Sequence, residues 1–112
     1  MTLFEWLLAG HLVGDFLLQT RWMAENKTAL WFPLAVHSTV YTAAVTLFSL
    51  AAGGLSPPAV IIVFLSHLFL DRRGFVNLWA RYLNRSDDNK WLKIMIDQTL
   101  HVLVLVFAIL IS

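Results

Sequence analysis

The run WLKIMIDQTLHVLVLVFAILI (Trp91–Ile111) decides how this chain is read. A helix needs about 20 residues to cross the hydrocarbon core of a bilayer. This run has that length and is apolar, yet it carries Asp97 and His101 four residues apart. From Val102 to Ile111 no polar residue follows. A charge and an imidazole inside such a segment are costly and mark function by default.

Working outward, Leu30–Ala52 is a second stretch of spanning length. Leu3–Gln19, and the segment from Pro57-Pro58 to Asp71, are shorter and interrupted by polar residues. They gain support from neighbours that would shield their polar faces in an antiparallel bundle. Gly53, Gly54, Ser56, Pro57 and Pro58 predict a turn, with the prolines suited to the first turn of the next helix. Arg21–Thr28 is a polar connector and Asn84–Lys90 (NRSDDNK) a hydrophilic turn. Between Gly74 and Leu83, Phe75, Val76, Leu78, Trp79, Tyr82 and Leu83 alternate with Asn77 and Arg81, which predicts a short amphipathic helix lying in the interface. The expected fold is all-α: one transmembrane helical domain over residues 1–112, an integral membrane bundle of about four antiparallel helices plus the interfacial helix.

Composition agrees. Of 112 residues, 59% are hydrophobic and 13% charged, against roughly 25% charged in soluble domains, and the mean hydropathy is +0.72. A chain this short and apolar cannot hide its hydrophobic surface in a water-soluble core, so the lipid bilayer is its expected partner. A net charge of +1 without long basic runs argues against nucleic acid. With no Cys, disulfides and Cys-ligated metal are excluded. Met1–Gly10 has no basic region or small-residue cleavage site and does not read as a removable signal peptide.

All eight basic residues lie in or beside two connectors: Arg21 and Lys27 in one, Arg72, Arg73, Arg81, Arg85, Lys90 and Lys93 in the other. The positive-inside rule puts both connectors in the cytoplasm and both termini outside, and Trp22, Trp31, Trp79 and Trp91 cluster there as an aromatic belt would.

Each apolar stretch holds one histidine: His11, His37, His67 and His101. Three pair with an aspartate four residues away, as His11/Asp15, His67/Asp71 and Asp97/His101. Residues four apart share a helix face, so each pair offers one nitrogen and one oxygen ligand pointing the same way. With 7 acids in 112 residues, three such matches among four histidines arise by chance about once in 100. The seven also share a depth. Asp15 and His11 precede Arg21 by six and ten residues, His37 follows Lys27 by ten, and Asp71 and His67 lie one and five residues before Arg72. Asp97 and His101 follow Lys93 by four and eight. At about 1.5 Å per residue all seven fall in the cytoplasmic half of the bundle. The competing reading makes His37 a packing residue, Asp71 a helix-end ion pair with Arg72-Arg73, and the whole set polar glue between helices. Gln19, Ser38, Ser66, Gln98 and Thr99 are candidates for supporting the ligands. Gly10 and Gly14 form a small-x-x-x-small pair that permits close helix approach.

The string Gly10-His11-Leu12-Val13-Gly14-Asp15-Phe16-Leu17-Leu18-Gln19-Thr20, followed by Trp22-Met23 and Asn26-Lys27, resembles the opening of an uncharacterised bacterial membrane protein family, domain of unknown function 3307. His37, Ser66-His67 to Leu70-Asp71, and Ile96-Asp97-Gln98 with His101 extend the resemblance over nearly the whole chain. Family members often carry Lys shortly after the third-helix Asp, where Arg72-Arg73 stand here. The resemblance implies a small multi-helix protein of the bacterial cytoplasmic (inner) membrane and brings no established activity. A looser similarity to membrane metal-dependent hydrolases is analogy.

Three functions compete. The first is a metal-dependent hydrolase: His11, Asp15, His37, His67, Asp71, Asp97 and His101 would bind one or two divalent ions (zinc, manganese or iron) that activate water against a lipid-like or amphiphilic substrate. Asp15 and Asp97, within helices and away from basic neighbours, are the expected catalytic carboxylates in bridging or base roles. The second is a divalent cation or proton transport or channel subunit, for which a homo-oligomer would supply the missing half. The third is a structural membrane subunit. The dry stretch from Val102 to Ile111 favours a one-sided site over transport.

Overall fold

A computed structural model describes residues 1–85 and 88–112. The described residues form helices α1 (Leu3–Leu12), α2 (Arg21–Asn26), α3 (Trp31–Ser49), α4 (Pro57–Asp71), α5 (Gly74–Tyr82) and α6 (Lys90–Ile111), with no strand among them. A π-turn, Val13–Leu17, continues α1, and a 3₁₀ turn, Leu50–Ala52, closes α3. The expected all-α architecture holds. Two helices, Trp31–Ala52 and Lys90–Ile111, are long and apolar enough to cross a membrane; Pro57–Asp71 is apolar but shorter.

Local chemistry sets the boundaries. Thr2 and Glu5 form a reciprocal capping box at the start of α1. Thr20 caps α2 by accepting from the Met23 N–H, which makes part of the expected polar connector helical. Ser56 caps α4, and Pro57 and Pro58 occupy its first turn, where their missing N–H groups cost nothing. Asn89 caps α6 by accepting from the Leu92 N–H at 3.0 Å. Gly53 and Gly54, at φ 103° and 85°, make the left-handed turn between α3 and α4. Residues 86 and 87 of the hydrophilic turn lie outside the described residues.

Helices α1, α3, α4 and α6 form a ring in which each packs on its two neighbours, while α2 packs on α3 and α5 on α4 and α6. The beginning of α1 lies beside the end of α3, with the Trp6 and Phe48 rings 6.3 Å apart. At the same end of the bundle the Ser112 hydroxyl accepts from the Ser56 N–H at 2.7 Å. Both termini and the Gly53-Gly54 turn therefore share one end, and α2 and α5 occupy the other. Gly10 and Gly14 seat α1 on α3: a Cβ at Gly10 would stand 2.9 Å from the Val45 Cα, and one at Gly14 would stand 3.0 Å from the Tyr41 Cα. That is the close approach expected of a small-x-x-x-small pair.

The core divides by depth. Toward the termini, Leu7, Val45, Ala59, Val63, Leu105 and Ala108 form a buried apolar cluster, with Tyr41 at its edge. Toward the connectors the buried side chains include Asp15, His37, His67, Asp71, Asp97 and His101, beside Met23, Leu34, Leu70 and Ile96. Helix α5 buries Val76 and Ala80 against Ile96 and leaves Leu78, Trp79 and Tyr82 exposed, so only part of its apolar face packs on protein.

Candidate metal centre

Each of the seven ionisable residues singled out from the sequence is buried, none more than 4% exposed. Six fall into two groups whose ligand atoms lie within 4.8 Å of one another: Asp15, His37, His67 and Asp71 in the first, Asp71, Asp97 and His101 in the second. Asp71 belongs to both. Its Oδ2 lies 3.0 Å from His37 Nε2 and 3.1 Å from His67 Nε2, while its Oδ1 lies 2.9 Å from His101 Nε2. Asp15 Oδ1 lies 3.1 Å from His37 Nε2 and 4.0 Å from His67 Nε2. His101 Nδ1 lies 3.6 Å from Asp97 Oδ1 and donates to the Asp97 backbone carbonyl at 2.7 Å, so in the neutral ring Nε2 is the lone-pair nitrogen that faces Asp71.

These contacts test whether the residues fit a metal. His67 Nε2, His101 Nε2, Asp71 Oδ1 and Asp97 Oδ1 are buried and make no aligned hydrogen bond, despite close N···O separations. Buried polar atoms normally find partners, and lone pairs that face one another are what a cation organises. Ligands about 2.0–2.1 Å from a tetrahedral ion stand about 3.3 Å apart, close to these separations. Imidazole nitrogen with carboxylate oxygen is a donor set for zinc, manganese or iron. The residues fit a divalent ion.

His11 is the exception to the expected convergence. It stands outside both groups, with Nδ1 2.7 Å from the Tyr41 hydroxyl and Nε2 2.8 Å from Gln98 Oε1. Asp15 lies in the π-turn, whose Leu18 N–H reaches back five residues to the Val13 carbonyl. Asp15 meets His37 on α3, and His11, one turn deeper, meets Tyr41 and α6. π-turns of this kind recur at functional sites.

Gln98, expected as a supporting residue, joins the two groups. Its amide nitrogen donates to Asp15 Oδ2 at 3.2 Å and to Asp97 Oδ2 at 3.3 Å. Its oxygen therefore faces His11 and can only accept, so His11 Nε2 carries the proton and Nδ1 accepts from the Tyr41 O–H. Other supporting candidates divide. Gln19 donates to the Asp15 carbonyl, Ser38 is buried beside His37 in sequence, Ser66 is half-buried, and Thr99 is exposed and bonds the Met95 carbonyl of its own helix.

Two residues, Lys27 and Tyr41, escaped the sequence reading of the site. Lys27, counted there only for topology, places Nζ 2.8 Å from Asp71 Oδ2 and is 9% exposed. The ion pair of Asp71 with Arg72-Arg73, the competing reading, does not form. Arg72 lies over the Trp31 ring, 4.1 Å from its centroid. Arg73, in a left-handed conformation at φ 70°, sets Nη2 3.9 Å from Asp97 Oδ2. Tyr41 stacks on His67 with ring centroids 3.9 Å apart. One signal was available for Tyr41: it lies four residues after His37 on the same helix face. None was available for Lys27, because its partner lies 44 positions away.

No characterised protein and no solved structure shows significant similarity to the chain. The model of one family of proteins of unknown function matches residues 3–112. With the His and Asp pattern placed on that match, the chain belongs to the DUF3307 family.

Proposed function

We propose that this protein is a multi-pass protein of the cytoplasmic membrane whose connector-side half holds a two-ion divalent metal centre for hydrolysis of a lipid-like or amphiphilic substrate. The observation that carries the reading is the sharing of Asp71 between two ligand groups, one on each oxygen. A carboxylate placed so would help to hold an ion in each group. The sequence favoured Asp15 and Asp97 for bridging; the geometry favours Asp71 in that role, with Asp15, His37 and His67 on one side of it and Asp97 and His101 on the other.

Membrane placement is supported by the inverted distribution of side chains. His and Asp are inside, while Leu17, Phe32, Leu47, Leu103, Phe107 and Leu110 face outward. In water that surface would be a liability; in lipid it is the solvated face. Four helices, α1 with its π-turn, α3, α4 and α6, would then cross, with the basic connectors in the cytoplasm and both termini outside.

A divalent ion lowers the pKa of its bound water toward ~7 and so supplies hydroxide at neutral pH. The chain's own groups do the rest. The Gln98 amide holds Asp15 and Asp97 at a set separation. Lys27 and Arg73 face the centre and would steady negative charge that develops there. The apolar cluster of Leu7, Val45, Ala59, Val63, Leu105 and Ala108 closes the bundle toward the termini, which favours a one-sided site over a transport path.

Elemental analysis of protein purified without chelator tests the reading. Two divalent ions per chain are expected, and Asp15→Asn and Asp97→Asn should each lose one of them while the protein still inserts. Metal-free protein with full cellular function would overturn the centre. Reporter fusions at Ser112 and Asp88 test topology: a cytoplasmic signal from the first or an external one from the second would sink it.

A further inference from the structure

On the outward face of α4 lies a groove of about 420 Å³ lined by Trp31, Leu65, Leu68, Phe69, Arg72 and Phe75. Its walls are apolar apart from Arg72, which follows the shared Asp71 directly in the chain. The Arg72 guanidinium lies over the Trp31 ring, and its Nη1 is buried without a hydrogen-bond partner. A buried, unpaired guanidinium N–H is expensive and persists where a ligand satisfies it. Trp31, at 65% exposed, and Phe69, at 53%, leave the groove open along its length. We infer that this groove docks an amphiphile with an anionic phosphate headgroup, the phosphate on Arg72 and an acyl chain along Leu65, Leu68 and Phe69.

The position suits such a molecule. Arg72 ends α4 at the connector side, where the sequence places the membrane interface and the aromatic belt. The guanidinium fork matches two phosphate oxygens, and Leu65 lies two turns deeper, where the chain would run. The inference rests on the membrane placement proposed above and not on the metal.

Quenching of tryptophan emission tests it. Metal-stripped protein is reconstituted in phosphatidylcholine vesicles containing brominated phosphatidylglycerol or, in parallel, brominated phosphatidylcholine. One interfacial Arg contributes about 1 kcal/mol toward an anionic lipid, which corresponds to about fivefold. The anionic lipid should therefore quench at about a fivefold lower mole fraction. That excess should vanish in Trp31→Phe, which removes the reporter, and in Arg72→Gln, which removes the charge. Arg72→Lys should keep part of it, and Arg85→Gln all of it. Equal quenching by the two lipids, or an excess that survives Arg72→Gln, overturns the groove as an anionic site. Quenching by neither lipid removes the membrane placement and the groove with it. A normal excess in protein that never takes up metal leaves the groove standing while the metal centre falls.

Discussion

The terminus-side and connector-side halves of this bundle are built from the same four helices, yet they solve the packing problem in opposite ways. In the first, Leu7, Val45, Ala59, Val63, Leu105 and Ala108 fill the space between helices with apolar volume and no buried charge. In the second, Asp15, His37, His67, Asp71, Asp97 and His101 fill it with ionisable groups that pair with one another. The apolar half is self-sufficient, because its atoms need only neighbours. The polar half is not, because several of its lone pairs face each other without hydrogen bonds. The contrast puts apolar packing in one half and the groups that could hold a metal in the other. α6 carries both tasks in sequence: Asp97 and His101 early, Leu105 and Ala108 one and two turns later.

The largest effect expected from attacking this contrast is at the shared carboxylate. Asp71→Asn keeps the shape but takes charge from both ligand groups, so elemental analysis should fall from two ions per chain toward none. It also strands buried Lys27, at a cost of about 3–5 kcal/mol, which denaturant unfolding would register. Retention of one ion by Asp71→Asn would break the claim that the groups share a hub. The mirror experiment is Leu105→Ala in the apolar half. A cavity there should cost about 2–5 kcal/mol with metal content unchanged. If metal is lost in step with stability, the halves are one cooperative unit and the division fails.

A smaller and sharper effect is expected at Gln98. Replacing it with Leu removes the amide that ties Asp15 to Asp97 and leaves His11 Nε2 without its acceptor. Loss of a residue that orients ligands typically weakens metal binding 10–100-fold, and competition with a chelator of known affinity measures it. Thr99→Ala, one position along the helix, should change stability by less than about 0.5 kcal/mol and leave the metal untouched, since Thr99 faces outward and bonds its own helix.

Much of this was legible in the chain. The apolar helices and the Gly53-to-Pro58 turn are local properties, legible within a few residues of where they act, whereas α2, capped by Thr20, lies in what the sequence reads as a connector. The depth of the site was also legible, because rise per residue converts position into height once connectors are known. The Gly10/Gly14 spacing announced a close helix contact, and α3 is the partner that makes it.

The sequence by itself determined the alternation of apolar helices and basic connectors, the burial of His and Asp within those helices, and their common level. Periodicity and charge suffice for these, because each is decided by a residue and its near neighbours. Only the tertiary structure decided who meets whom at that level. It placed His11 outside the two ligand groups, against Tyr41 and Gln98. It brought Lys27 to Asp71 across 44 positions and turned Arg72 away to Trp31. It made Asp71 the shared carboxylate and Gln98 the tie between its neighbours. Spacing along a chain sets the direction a side chain takes from its own helix axis; the distance between side chains on different helices depends on how those helices rotate and pack, and that is settled only when all four close around the site.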